Sequence, residues 1–325
     1  MRLGKVKSTV EQRSVLRQLH NKSPYGSPRS GEDAGSFDLA CVRSCMAVHT
    51  VDGRTLAGRR AVYEVTGKLT ASGAVPEAVS FSILMPEGTE ESELKSLIHE
   101  IDRHTQECGV TVVGCQAAVS SSVKSFLITA SGIGETKYFH DFSAEPLSVV
   151  MAGHAAREGT AVIAREGREE LLTRYPDYFI SEAAFLYDDY LYGLIAEAAR
   201  ECPPAMMHIV GQGGIFGGLW ELAGAAGVGL DVRMSAIPIR QHTVEVCEFY
   251  HLNPYVLLSG GCVLMLCENG ERMRELLEDK GIPAAIIGRT TDTNARIVRY
   301  DEEIRYLEPP KTDEYYRWIL REKSE

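Results

Sequence analysis

The sequence has no uninterrupted apolar run approaching the roughly eighteen residues that a membrane-spanning helix needs. It has no Cys-x-x-Cys pair and no cysteine at zinc spacing from a histidine. Its eight cysteines therefore read as free thiols, most of them small hydrophobes within apolar stretches such as Cys262 to Cys267. Basic charge is in short supply as well. Against 34 Lys and Arg stand 45 Asp and Glu, a formal charge of -11, which argues against nucleic acid or an anionic membrane as a partner. Met1 to Val10 carry basic side chains but run into Glu11, Gln12 and Arg13 instead of an apolar segment. No secretory leader is expected, and cytoplasmic placement is.

What is present is ordinary globular usage, 44% hydrophobic and 24% charged. A chain of 325 residues is long for one core and suits two domains. The polar stretch Glu135 to Glu145 sets the boundary, giving domains 1–145 and 146–325.

In the first half, Asn21 to Ser36 is a loop rich in Ser, Gly and Pro. Leu39 to Val48 reads as a strand, with Val51-Asp52-Gly53-Arg54 as a hairpin turn, and Ala61 to Leu69 as a helix. Val79 to Met85 is strand-like. The next helix takes Thr89 as N-cap, buries Leu94, Leu97, Ile98, Ile101 and Cys108 on one face, and ends at Gly109. Strands follow at Val110 to Val113 and Phe126 to Ala130. The second half opens on a strand at Leu147 to Met151. Helices are then expected at Ser181 to Arg200, Ile215 to Ala226, Val244 to Tyr250 and Glu271 to Lys280, and strands at Gly229 to Arg233, Val263 to Cys267, Ala284 to Gly288 and Ala295 to Tyr300. That alternation predicts α/β layers.

Two glycine-bearing stretches invite a phosphate or metal reading. Gly211-Gln212-Gly213-Gly214 runs into an amphipathic helix, so its N–H groups would face an anion at a helix start. Gly31-Glu32-Asp33-Ala34 supplies two adjacent carboxylates suited to Mg. Neither completes a dinucleotide-binding fingerprint or a P-loop, which leaves a stand-alone dinucleotide-binding dehydrogenase as a remote third reading. His154, after Gly153, reads equally as a surface histidine or a ligand-facing one, and the Asp188-Asp189 pair as a solvated helix face.

As an ordered set these motifs resemble a known superfamily. Gly31-Glu32-Asp33-Ala34 is followed by Gly73-Ala74-Val75-Pro76, Leu84 to Gly88, Gly114, Met207-His208 before Gly213-Gly214, and Ile237-Pro238-Ile239. The set is similar to that of the aminoimidazole ribonucleotide (AIR) synthetase-like, PurM-like ATP-binding superfamily, in its hydrogenase-maturation-factor-E-like branch. The resemblance implies an α+β N-terminal domain whose four-stranded sheet closes a barrel across a homodimer, and an α/β C-terminal domain. It implies ATP with Mg as cofactor and a small-molecule substrate phosphorylated on an oxygen. On this sequence the implied site residues are Gly31, Glu32, Asp33, Lys68, Gly114, Gly213 and Gly214, with Glu32 and Asp33 on the metal.

The acids that hold Mg in that family are largely replaced. His49, Gly67-Lys68, Cys115-Gln116 and Ile209 stand where the pattern has acidic or amide groups. Lys68 suits direct contact with a phosphate, and His49 with Cys115 suits a soft metal. The family's maturation factor uses a C-terminal cysteine, whereas this sequence ends Arg321-Glu322-Lys323-Ser324-Glu325, so hydrogenase maturation proper is not expected. Two readings follow: an ATP-dependent enzyme with a degenerate Mg-ATP site, or a non-catalytic homodimer that binds a metabolite or partner protein in the drifted groove.

Overall fold

The computed structural model describes residues 33–39, 42–137, 146–301, 303–309 and 312–321. The chain divides into two compact units, one within 33–139 and one from 140 onward. Of the implied site residues, Gly31 and Glu32 lie outside the described residues.

The first unit is one mixed sheet with two helices. Its elements are β1 (Gly35–Leu39), β2 (Val42–Asp52), α1 (Ala57–Ala71), β3 (Ala74–Met85), α2 (Glu91–Glu107), β4 (Thr111–Val119) and β5 (Leu127–Thr136), with sheet order β1-β2-β5-β3-β4. All pairings are antiparallel except β3 with β4, which α2 connects as a crossover. Cys45, Ala47 and Val51 of β2, Val79, Phe81 and Ile83 of β3, and Ile128 and Ala130 of β5 are buried on one face. The helix over this face is α1, which lies so close to β5 that a Cβ on Gly132 would sit 3.1 Å from Leu69 and Val65. The other face is open, with Met46 and Val48 48% and 49% exposed.

Several local expectations change. The sheet has a fifth, short strand, β1, beside the four long ones. Leu39 to Val48 is not one strand but is shared between β1 and β2. The Val51 to Arg54 turn closes no hairpin and leads into α1. Gly53 donates its N–H to Phe126 O and Arg60 donates to Asp52 O, so β2 takes the distant β5 as its partner. At α2 the N-cap is Glu90, whose N–H donates to Glu93 Oε2 at 3.0 Å, while Thr89 Oγ1 donates to Pro86 O. Gly109 does end that helix, at φ 67°.

The second unit contains β6 (Ser148–Ala152), α3 (Arg157–Glu166), α4 (Arg168–Leu171), α5 (Asp177–Ala184), α6 (Tyr192–Glu201), β7 (Met206–Val210), α7 (Gly214–Ala226), β8 (Gly229–Arg233), α8 (Gln241–Phe249), β9 (Cys262–Cys267), α9 (Gly270–Asp279), β10 (Ala284–Thr291), β11 (Arg296–Tyr300), β12 (Glu303–Tyr306) and α10 (Glu314–Arg321). The sheet runs β12-β11-β8-β10-β6-β9-β7 and is antiparallel except at β8–β11. Every residue of β9 is buried, as a strand covered on both faces requires. Ile215, Leu219 and Leu222 of α7 join Leu230, Leu264 and Leu266 in the main core.

The helix expected over Ser181 to Arg200 is broken into α5 and α6. A buried arginine occupies the break: Arg157 donates its Nε to Leu186 O at 2.8 Å and lies over the Tyr187 ring. Asp188 and Asp189 consequently sit in the break, with Asp188 paired to Arg165 at 3.3 Å, and not on a helix face.

Candidate functional site

In the first unit the structure brings two of the sequence-selected residues together. His49 lies on β2 opposite Ala130 and is half-buried. Lys68, one turn before the end of α1, donates its Nζ to Val48 O at 3.0 Å, the carbonyl immediately preceding His49. An ammonium and an imidazole thus share a corner where the family pattern has acids. Asp33 lies just before β1 and is half-buried.

Gly114, Cys115 and Gln116 fall within β4, beside Ser80, Phe81 and Ser82 of β3, and all three are exposed. Strands β5 and β3 stand between β2 and β4, which separates the two groups by about 14 Å at the usual strand spacing. His49 and Cys115 therefore do not converge on one ion within this sheet. Partial desolvation by its neighbours on the sheet raises the exposed Cys115 thiol above its ordinary pKa, so it is no ready thiolate. Among the described residues no group of three or more His, Cys, Asp or Glu is placed to share a metal ion.

In the second unit Ile209 is a buried residue of β7, opposite Val263 of β9. The glycine-rich turn that follows is shaped by close packing. Gly213 has φ 88° and Gly214 φ 61°, and a Cβ on Gly214 would stand 2.6 Å from Tyr255 O. The Gly213 N–H donates to Asp313 Oδ2 at 2.6 Å. Asp313 Oδ1 accepts from Tyr315 N at 2.8 Å and from Leu258 N at 3.3 Å, and Gln212 Nε2 donates to Tyr316 Oη at 2.9 Å. Asp313 is 2% exposed, and burial, with Glu158 nearby, pushes its carboxyl up to about 7 against the pull of the three N–H groups. The sequence reading missed this residue. The signal was available, since an Asp two residues ahead of the amphipathic run Tyr315 to Leu320 is an N-cap pattern.

A third cluster surrounds the start of α3. Ala156 sits at the N-cap with φ 56°, its N–H donated to Ser259 Oγ at 2.8 Å, and Gly260 N–H reaches Glu158 Oε2 at 3.0 Å. His154 beside it is held low, at about 4, by burial and by Arg240 and Arg157.

Comparison with known proteins places these features in a lineage. The family described as AIR synthase related protein, N-terminal domain, matches residues 31–136, and the corresponding C-terminal domain matches 149–301. A putative hydrogenase expression/formation protein of Methanocaldococcus jannaschii is 27% identical over 269 residues, covering 77% of this chain and 78% of that one. The carbamoyl dehydratase HypE of Rhodobacter capsulatus is 25% identical over 252 residues, covering 74% and 72%. Among solved structures, a HypE–HypF complex aligns with TM-score 0.74 at 20% identity over 93% of this chain and 99% of that chain. HypE in complex with ATP gives 0.71 at 16% identity over 94% and 95%. A ThiL complexed with AMPPCP and TMP gives 0.70 at 17% identity over 94% and 98%.

Proposed function

The chain belongs to the AIR synthase-related family, in its HypE-like branch, and on that premise we propose that it binds ATP through a site rebuilt around a lysine. The reaction class we assign is the one the family resemblance implies, ATP-driven activation of an amide-like or carboxyl-like oxygen on a small molecule; that HypE in complex with ATP and ThiL with AMPPCP are structural neighbours supports the nucleotide part of it. The observation that carries the reading is Lys68, whose ammonium is fixed on Val48 O beside His49.

A magnesium ion needs several hard oxygen donors converging on it. Asp33 supplies one carboxylate; β2 and α1 supply an imidazole and an ammonium. Among the described residues that donor set does not fit the ion, and no step is derived through it. It does fit a polyphosphate, because an ammonium neutralises phosphate charge directly as a point cation. Domains 1–145 and 146–325 are the working division for this function.

Calorimetric titration of the full chain with ATP, with and without magnesium, tests the reading. Binding at millimolar nucleotide or better is expected, with an affinity that changes less than about tenfold on adding the metal. Lys68→Asp is expected to weaken metal-free binding and make it magnesium-dependent. No heat of binding at millimolar ATP would sink the reading.

The second reading, a non-catalytic homodimer, has its own support. The open sheet face carries Met46 and Val48, and the edge strand β4 separately exposes Val113 and Val119 at 68% and 59%; a second copy would cover either apolar feature.

A further inference from the structure

In the second unit a cleft of about 810 Å³ opens between the start of α7, the turn at 254–256, the β11–β12 hairpin and the residues leading into α10. Its size is that of a small-molecule site. The walls are aromatic. Phe216 and Tyr255 stack with ring centroids 5.3 Å apart and 11° between their planes. Tyr300 and Tyr306 line the hairpin side and are 52% and 72% exposed.

A helix start opening onto such a space ordinarily favours an anion. Here a carboxylate of the chain itself already occupies part of that place. Asp313 accepts the Gly213 N–H and Gly214 N–H donates to Gly211 O at 3.2 Å, so the chain's own carboxylate stands at the helix start and opposes a second anion there. The charged lining is also predominantly acidic, with Glu308 and Glu314 against Arg305. Arg305 is drawn to Glu303 at 2.6 Å, and Glu314 is shared with Arg317 at 3.2 Å. Aromatic faces beside carboxylates attract cations and repel anions of the same shape.

We propose that this cleft binds a planar aromatic or heteroaromatic ligand that carries positive charge, and that the Asp313-filled glycine turn excludes phosphate and carboxylate ligands from it. The site uses no residue of the first unit and stands or falls independently of the nucleotide reading. Phe216 and Tyr255 supply the ring faces, and Glu314 supplies charge selection.

Benzamidine and benzoate share a ring and a size but differ in charge, so the pair isolates the claim. Each is titrated into the full-length protein, followed by calorimetry and by the ring resonances of Phe216 and Tyr255. Benzamidine is expected to bind at least about tenfold more tightly than benzoate and to shift those resonances. Glu314→Gln is expected to narrow the gap, and Phe216→Leu to weaken both probes. Equal or tighter binding of benzoate overturns the proposal, as does failure of benzamidine to bind at roughly 10 mM. The wild-type resonances decide the matter even if a variant does not fold.

Discussion

Asp313 shows how much one side chain organises in this protein. Its carboxylate joins the N-terminus of α10 to the turn before α7 and to Leu258. Because its pKa is raised from 3.8 to about 7, the docked segment binds a proton more tightly than the released one. Its contribution to stability is full below about pH 4 and is lost as the pH rises through about 7, with an upper limit of roughly 4 kcal/mol. His154, depressed to about 4, has the opposite slope over the lower part of this range. The difference between wild type and Asp313→Asn therefore isolates the effect. Thermal midpoints between pH 5 and 8 are expected to show wild type losing its margin over Asp313→Asn as the pH rises, and parallel curves would refute it. At this scale the sequence was legible where a residue's conformation was local. The glycines of 211–214 marked a tight helix start, but nothing in their spacing reveals that an aspartate a hundred positions later accepts the Gly213 N–H.

Helix starts in this chain are set by tertiary contacts more than by capping side chains. Both α1 and α3 begin after a left-handed residue that is not glycine, Leu56 at φ 55° and Ala156 at φ 56°, a conformation costing about 1 kcal/mol or more for an L-residue. The start of α7 has the reverse arrangement, a left-handed glycine pressed against Tyr255 and Val256. Opposite outcomes follow for reciprocal substitutions. Ala156→Gly is expected to be neutral or to stabilise by up to about 1 kcal/mol, and Gly214→Ala to destabilise by roughly 2–4 kcal/mol, as read from denaturant unfolding. A neutral Gly214→Ala would show that the 254–256 turn yields easily. Periodicity in the sequence located α2, α7, α9 and β8 well, because each buries a regular face. It failed over 181–200, where the break is filled by Arg157, far away in sequence. It also shortened β4, whose residues all stay exposed within the protomer and show no burial pattern to read.

At the level of the whole molecule, ordered motifs carried the family assignment and its two-part α/β architecture, whereas the site remained less legible. The substitutions at His49, Lys68 and Ile209 could be named from the sequence. Only the structure shows that His49 and Lys68 share a corner while Gly114 to Gln116 lie across the sheet. No described helix is long and apolar enough to cross a membrane. Assembly is the remaining question, and β4 frames it. Val113→Lys places a charge on a side chain already 68% exposed, so protomer stability should change by no more than about 0.5 kcal/mol. Sedimentation equilibrium is expected to give a dimer for wild type and a monomer for the variant. A monomeric wild type would dispose of the homodimer.

A nine-residue strand whose outer hydrogen-bonding edge is unclaimed among the described residues, with valines along it, also matters before any dimer forms. Each newly synthesised protomer carries a template to which any extended peptide can zip. Yield in a cell should therefore depend on the rate at which copies meet. If copies pair through this strand, slow and dilute synthesis is expected to raise the insoluble fraction, which comparing soluble yield at high and low expression checks.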